Sequence, residues 1–366
     1  MIKILFDHEI FSEQRYGGIS RYFANLASEM NKDQSLHVKI AVLYVKNYYI
    51  RNVRQPFNTI LGRWYLRKTH KRYYWNKKYS KSLLKKGDYD IFHATYYDTY
   101  SLAYNRKPMV VTVHDMIYEN SPEMFADAAE VISKKKQMMD AAGAIIAISN
   151  YTLNEILRIY PQYANKTSMV YHGLPHEEPS SQANISTPER FILFVGGRSH
   201  YKNFAPMAKA LAPLLHQNKD LMLLCTGGGA FTAEEKELLE KPQLGKQCQQ
   251  LDATDEELKL LYQRALVFVY PSSQEGFGLP MLEAFRNHCP TACSHASCLP
   301  EIGGDAVAYF DPTKADTILA TVEKIINEPD YANHLRAKGQ ERLTHFTMQR
   351  CIENTVKVYK ALLKKS

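Results

Sequence analysis

Short apolar runs alternate with helical patterns along this chain, and the cycle occurs twice around a polar, proline-containing stretch. That alternation constrains the fold more than any other feature. Strands separated by helical crossovers pair in parallel, and a parallel sheet needs helices on both faces. In the first cycle the strand candidates are residues 3–6, 38–44, 90–93, 109–114, 144–148 and 169–171, and the first helix candidate covers 19–30. Its apolar residues Ile19, Tyr22, Phe23, Leu26, Ala27 and Met30 keep to one face at helical spacing, with Gly17 and Gly18 as the turn before it. The second cycle has strand candidates at 191–195, 221–225, 267–270 and 291–294, and helix candidates at 205–216, 233–240 and 255–264. Thr232-x-x-Glu235 and Thr254-x-x-Glu257 are capping signals for the last two helices. In the tail, residues 349–365 carry an apolar stripe of Ile352, Val356, Tyr359 and Leu363, a helix that can dock on either domain.

Residues 175–188 are rich in Pro, Glu, Ser and Asn and lack periodicity, as a linker does. The expected organisation is a first domain over 1–175, a linker over 176–188, a second domain over 189–346 and a C-terminal helix over 347–366. The fold class is α/β, with two Rossmann-like domains facing a cleft. Open sheets of this kind bind ligands beyond the carboxyl ends of their strands. A length of 366 residues also exceeds one ordinary core.

No run of eighteen apolar residues is present, which excludes a membrane-spanning helix. The start, Met1 to Asp7, reads as a strand and turns polar too soon for a signal peptide. The expectation is a cytoplasmic protein with six reduced cysteines. His288, Cys289, Cys293, His295 and Cys298 lie close together, but without C-x2-C spacing and with Cys293 inside a strand candidate, so no metal site is expected.

Chemistry is legible at two strand ends. Val195-Gly-Gly-Arg198-Ser-His-Tyr-Lys202 places two cations after a glycine turn, suited to the growing charge on a departing diphosphate. Ser273-Gln-Glu275-Gly-Phe-Gly-Leu-Pro-Met-Leu-Glu283 places two carboxylates eight positions apart. Gly276, Phe277, Gly278 and Leu279 form a turn between them, and Pro280 suits the first position of a helix whose N–H groups make an anion site. Glu275 can grip sugar hydroxyls, and Glu283 a ribose diol. His114 stands at the end of an apolar strand candidate; His93, at another strand end, reads as a satisfied structural side chain.

Together these segments resemble the GT-B glycosyltransferases of family 4, a retaining group with an E-x7-E motif. Gly17-Gly18-Ile-Ser-Arg21, Val113-His114-Asp115, Ala147-Ile-Ser149-Asn150 and Tyr171-His172-Gly173 add to the match, which runs over essentially the whole chain. The resemblance implies a catalytic set of His114, Arg198, Lys202 and Glu275. Arg198 and Lys202 would hold the donor diphosphate, helped by Gly18 and the backbone of Gly276 to Leu279. His114 would touch the sugar near the reacting carbon. Glu283 would hold the ribose, while Thr226, Gly227, Leu251 and Asp252 would frame the base. It also implies retention of anomeric configuration and no required metal or other cofactor, with the departing phosphate taking the acceptor proton; Glu275 is not assigned as a nucleophile. The expected activity is transfer of a sugar from a GDP- or UDP-sugar to a glycan or lipid-linked acceptor in surface polysaccharide synthesis. Mannose is suggested by the mannosyltransferase-like Gly-Gly-Ile-Ser-Arg-Tyr entry. Two alternatives stand beside it. A nucleotide-sugar epimerase would consume donor without acceptor, and a non-catalytic nucleotide-sugar-binding or membrane-surface protein would bind without turnover.

The resemblance does not cover the character of residues 46–86. Net charge is +8, and residues 1–185 hold 25 basic against 17 acidic side chains, the whole excess. Residues 46–86 contain 13 basic residues, no acidic one and both tryptophans, Trp64 and Trp75. This reads either as a solvated insertion or as an element that meets an acceptor or an anionic membrane surface, which would make the protein peripheral on the inner face of the membrane. Single-stranded nucleic acid is a weaker alternative, since no nucleic-acid fold accompanies the segment, and no nucleic-acid partner is expected.

Overall fold

The computed structural model describes residues 1–175, 184–198, 200–241 and 243–365. Most of the expected linker, 176–183, lies outside the described residues. The chain divides into two compact units: Met1–Pro175 with Met348–Ser366, and His176–Thr347.

The first unit is built on six parallel strands, β1 (Ile2–Phe6), β2 (Leu36–Ile40), β3 (Ile91–Ala94), β4 (Met109–Val113), β5 (Ala144–Ala147) and β6 (Thr167–Met169), in the order β2-β1-β3-β4-β5-β6. The second has β7 (Arg190–Val195), β8 (Leu221–Thr226), β9 (Cys248–Gln250), β10 (Val267–Tyr270), β11 (Thr291–Ser294) and β12 (Ala308–Phe310), in the order β12-β11-β10-β7-β8-β9. All pairings are parallel, so both sheets are buried on two faces. Ile192, Leu223, Val267 and Val269 pack against helices Phe204–Gln217 and Ala315–Asn327. Each such side chain contributes about 1.5–3 kcal/mol on burial.

The α/β expectation is met, with boundary differences that have physical causes. The strand expected over 38–44 ends at Ile40, although Ala41, Val42 and Leu43 remain buried. An apolar run reports burial, not ladder hydrogen bonds. The strand expected at 169–171 lies earlier, at Thr167–Met169. The edge strands β9 and β12, three residues each, carry too little pattern to be read. Both capping boxes form as read from Thr232 and Thr254.

The C-terminal helix Met348–Lys365 belongs to the first unit, packing on helix Gly18–Met30 and on β5. Buried Tyr359 pins it: its hydroxyl meets His93 Nδ1 at 2.7 Å, and His93 Nε2 meets Thr112 Oγ1 at 2.8 Å. His93 is thus a structural histidine with both ring nitrogens engaged.

Residues 46–86 are more ordered than an insertion. They form helices Ile60–Tyr65 and Thr69–Lys86. The long helix buries Arg72, Asn76, Ser80 and Leu84, a face spaced by four residues. Asn76 alone makes four bonds, accepting from the N–H groups of Leu43 and Tyr44 and donating to Ser12 Oγ and the Tyr44 carbonyl.

Candidate active site

In the second sheet the chain steps from β7 to β8 and β9 on one side, then returns to place β10, β11 and β12 on the other. The order reverses between β7 and β10. Loops leaving the carboxyl ends of those two strands diverge, and the crevice there is where open parallel sheets bind ligands. Lys202 follows β7 and Glu275 follows β10. The Ser273 N–H donates to the Tyr201 carbonyl at 2.8 Å, stitching the two loops together. Lys202 Nζ then donates to Glu275 Oε1 at 2.5 Å, with side chains 23% and 11% exposed. The Glu275 N–H donates to Ser297 Oγ at 3.0 Å.

Helix Leu279–Arg286 starts beside this pair. Its N-cap, Gly278, has φ +101°, and a Cβ there would sit 3.1 Å from Leu299, so both conformation and space demand glycine. Pro280 occupies the first turn, as read. The N-cap carries no side chain to satisfy the helix end, whose N–H groups and dipole suit an anion. Glu283, one turn in, is half-buried and accepts from the buried Tyr262 hydroxyl at 3.5 Å.

Arg198 is placed differently from Lys202. It donates to Glu235 at 2.8 Å and to the carbonyls of Gly227 and Gly229 at 2.6 and 2.8 Å, and its side chain is only 2% exposed. Its immediate role is to clamp the glycine loop after β8, where a Cβ on Gly228 would fall 3.0 Å from Arg198 Nη1. Thr226 is buried at the end of β8, with Gly227 next to it at φ +85°. On the neighbouring strand end, the Leu251 N–H donates to the Cys225 carbonyl at 2.9 Å, and exposed Asp252 accepts from Gln250. The structure therefore gathers Lys202, Glu275 and the Gly276–Leu279 turn into one group. Arg198, Thr226 and Gly227 form another around the glycine loop.

In the first unit, Gly17 caps and Gly18 opens helix Gly18–Met30. His114 follows β4 and is buried beside Tyr22, Phe23 and His172. Burial, with His172, His93 and Lys135 nearby, holds its imidazole neutral, well below its ordinary range. Its Nε2 has no hydrogen-bond partner among the described residues. A buried ring nitrogen left unpaired costs free energy, and a ligand oxygen or N–H would relieve that cost.

Sequence reasoning missed Glu235, Tyr262 and Ser297. Glu235 was visible only as a capping residue; it also pairs with Arg198. It missed as well the buried carboxylates after β1, which meet the loop after β3 where the first sheet reverses its order. There Asp7 accepts from the Thr95 N–H at 3.0 Å, and Glu9 from the Asp98 N–H at 2.8 Å. Burial pushes Asp7 up to about 6, and Glu9 well above the usual carboxylate range. The cysteines at 289, 293 and 298 are buried thiols, and no metal-holding cluster of His, Cys, Asp or Glu occurs among the described residues.

Comparison with known proteins decides the family. Residues 16–178 match the family described as Glycosyltransferase Family 4, and residues 176–342 match Glycosyl transferases group 1. The chain belongs to the family 4 glycosyltransferases. The O-antigen chain mannosyltransferase B of Escherichia coli is 28% identical to this glycosyltransferase over 267 residues, 69% of this chain and 70% of that protein. The serotype-specific mannosyltransferase WbdA of Escherichia coli is 27% identical over 281 residues, 70% of this chain but 34% of that longer protein. Among solved structures, sucrose-phosphate synthase from Thermosynechococcus elongatus aligns over 100% of both chains with TM-score 0.74 and 20% identity. Anabaena Alr3699/HepE in complex with UDP and glucose covers 99% of this glycosyltransferase and 100% of that chain, with TM-score 0.73 and 15% identity. These likenesses establish the fold of the enzyme as GT-B.

Proposed function

We propose that this glycosyltransferase moves mannose from a nucleotide sugar to a glycan or lipid-linked acceptor in surface polysaccharide synthesis, with retention of configuration. The observation that carries the donor reading is the Lys202–Glu275 pair beside the uncapped tip of helix Leu279–Arg286, at the point where the sheet reverses. An ammonium and a helix tip meet a diphosphate from two sides, Glu275 takes sugar hydroxyls, and Glu283 takes the ribose. Arg198 adds charge from behind the glycine loop it holds, and the loop with Leu251 and Asp252 frames the base. Gly17, Gly18 and His114 are the first unit's candidates for contact with the donor and its sugar. In the reaction the bond from the sugar carbon to the phosphate oxygen breaks, the acceptor oxygen bonds to that carbon, and the acceptor proton passes to the departing phosphate. No resident metal is needed where fixed cations and N–H dipoles meet the developing charge. The mannosyl and O-antigen elements rest on the two Escherichia coli relatives.

A thermal-shift panel of nucleotides and nucleotide sugars tests this. Either GDP or UDP, and one of its sugar conjugates, is expected to stabilise the protein by about 2.7 kcal/mol at a hundredfold excess over Kd. A panel in which no nucleoside diphosphate raises the melting temperature would sink the donor reading.

The same reading places the enzyme on a membrane surface through residues 46–86. Among the described residues no helix is long and apolar enough to cross a membrane. The exposed large apolar side chains, apart from Met1 and Tyr16, fall within residues 53–74, with Ile60 at 88%, Leu61 at 79% and Trp64 at 65% exposure. Apolar residues so exposed, flanked by Arg63, Arg67 and Lys68, match an interfacial helix that sinks its apolar side into the acyl boundary. The triple substitution Ile60→Ser, Leu61→Ser, Trp64→Ser is expected to lower flotation with anionic vesicles at least tenfold. Wild-type flotation in the variant would refute this surface.

A further inference from the structure

Behind the exposed helix Ile60–Tyr65 lies a pocket of about 360 Å³ whose walls carry four cations, Arg15, Lys46, Arg51 and Arg63. No carboxylate lines it, and none of the four forms an ion pair among the described residues. Tyr16 and Tyr48 face each other across 5.2 Å, and the Arg51 guanidinium stacks 4.3 Å over Tyr48. The scaffold beneath is fixed. Buried Asn47 donates to the Gln14 carbonyl at 2.7 Å, and the Tyr48 N–H to the Arg15 carbonyl at 3.0 Å, which joins the two strips of chain bearing the cations. Buried Gln55 bridges Val45 and Ile50. The Arg63 guanidinium is oriented by Asn58 at 2.8 Å.

Four like charges around one cavity repel one another unless an anion enters. The buried amides fix the backbone that carries these guanidinium groups, and guanidinium groups bind tetrahedral oxyanions in bidentate fashion. The tyrosine faces beside them offer a platform for a sugar ring. We propose that this pocket binds a phosphate-bearing group, with the adjoining sugar on Tyr16 and Tyr48. It would thereby select a glycosyl acceptor that carries phosphate, an inference that rests on the transferase reading above and deepens it.

The test compares Arg15→Ala/Arg51→Ala with Lys68→Ala/Lys71→Ala, which removes equal charge from the same basic segment away from the pocket. Full-length protein is titrated with inorganic pyrophosphate while GDP and UDP are saturating, and separately with phosphatidylglycerol and phosphatidylcholine vesicles. The pocket pair is expected to weaken pyrophosphate binding at least tenfold, against less than twofold for the control pair. Saturable pyrophosphate binding assigns the pocket to a soluble or acceptor phosphate. Loss of phosphatidylglycerol binding alone, confined to the pocket pair, assigns it to a lipid headgroup; both outcomes support a phosphate site. Equal losses in the two pairs, or none in either, overturn it. Stabilisation by a nucleoside diphosphate, measured on the same variants, reports the donor site independently, so failure of this pocket and failure of the transferase reading are distinguishable.

Discussion

Lys202→Ala is expected to lower sugar transfer by more than tenfold while the protein stays folded. Lys202 is the ammonium of the pair at the reversal point of the second sheet, and Glu275 is its partner at 2.5 Å. Charge that meets a departing diphosphate acts mainly in the transition state, so its loss falls on kcat more than on KM. Removing one such group costs roughly 3–4 kcal/mol where preorganised donors have been deleted elsewhere. Part of the loss comes through Glu275, whose side chain, 11% exposed, would be left without its cation. Glu275→Gln, alone and with Lys202→Ala, separates the two contributions. If Lys202 serves only to neutralise Glu275, the double variant is no slower than Glu275→Gln alone; if Lys202 meets the phosphate, it is slower still. Near-normal turnover in Lys202→Ala would remove the cation assignment.

The second large effect is acid sensitivity centred on the first unit. His8, His93, His114 and His172 are all buried there. Burial lowers His8, His93 and His172 to about 3 and His114 well below its ordinary range. Asp98 opposes and Lys77 reinforces the shift at His8. A base whose folded pKa is depressed contributes its stability fully above the unfolded value near 6.5 and loses it as pH falls. Each imidazole therefore costs roughly 2 kcal/mol at pH 5, because the unfolded chain takes the proton. Asp7 and Glu9 act oppositely. Their raised folded values favour the protonated form, so they add stability as pH falls below about 6. Two carboxyls against four imidazoles leave a net loss, large beside a total stability of about 5–15 kcal/mol. The melting temperature is expected to fall by roughly 10 °C or more between pH 7.5 and pH 5. His93→Gln, which keeps polar atoms but cannot charge, should flatten that fall in part. A melting temperature independent of pH over this range would contradict the account.

The parts of the fold that were legible in the sequence share one property: their periodicity is carried by apolar residues. Helix Gly18–Met30 buries Tyr22, Phe23, Leu26, Ala27 and Met30, and strand β10 is buried throughout, so hydrophobic spacing found both. Helix Thr69–Lys86 escaped because its inward face is Arg72, Asn76 and Ser80, three polar residues satisfied by backbone and side-chain partners. The motif segments after β7 and β10 were legible because glycine, proline and charge fall together there. What they could not disclose is that Arg198 turns to Glu235 and the 227–230 carbonyls while Lys202 turns to Glu275. That division depends on loop conformation, set by Asn203 at φ +56° and the Ser273–Tyr201 bond. Lys46, Arg51 and Arg63 were foreseen as charge within residues 46–86, but neither Arg15 nor the cavity was, since Arg15 and the framework residue Gln14 lie far from Asn47 in sequence.

Because helix Met348–Lys365 completes a unit begun at residue 1, that unit is written discontinuously in the gene. On the ribosome the second sheet has all its strands before the first has its last helix. Tyr359 reaches His93 only after 266 intervening steps of chain growth. The nascent first unit therefore waits with the apolar surface beneath that helix uncovered, and His93 gains its Tyr359 partner only at the end.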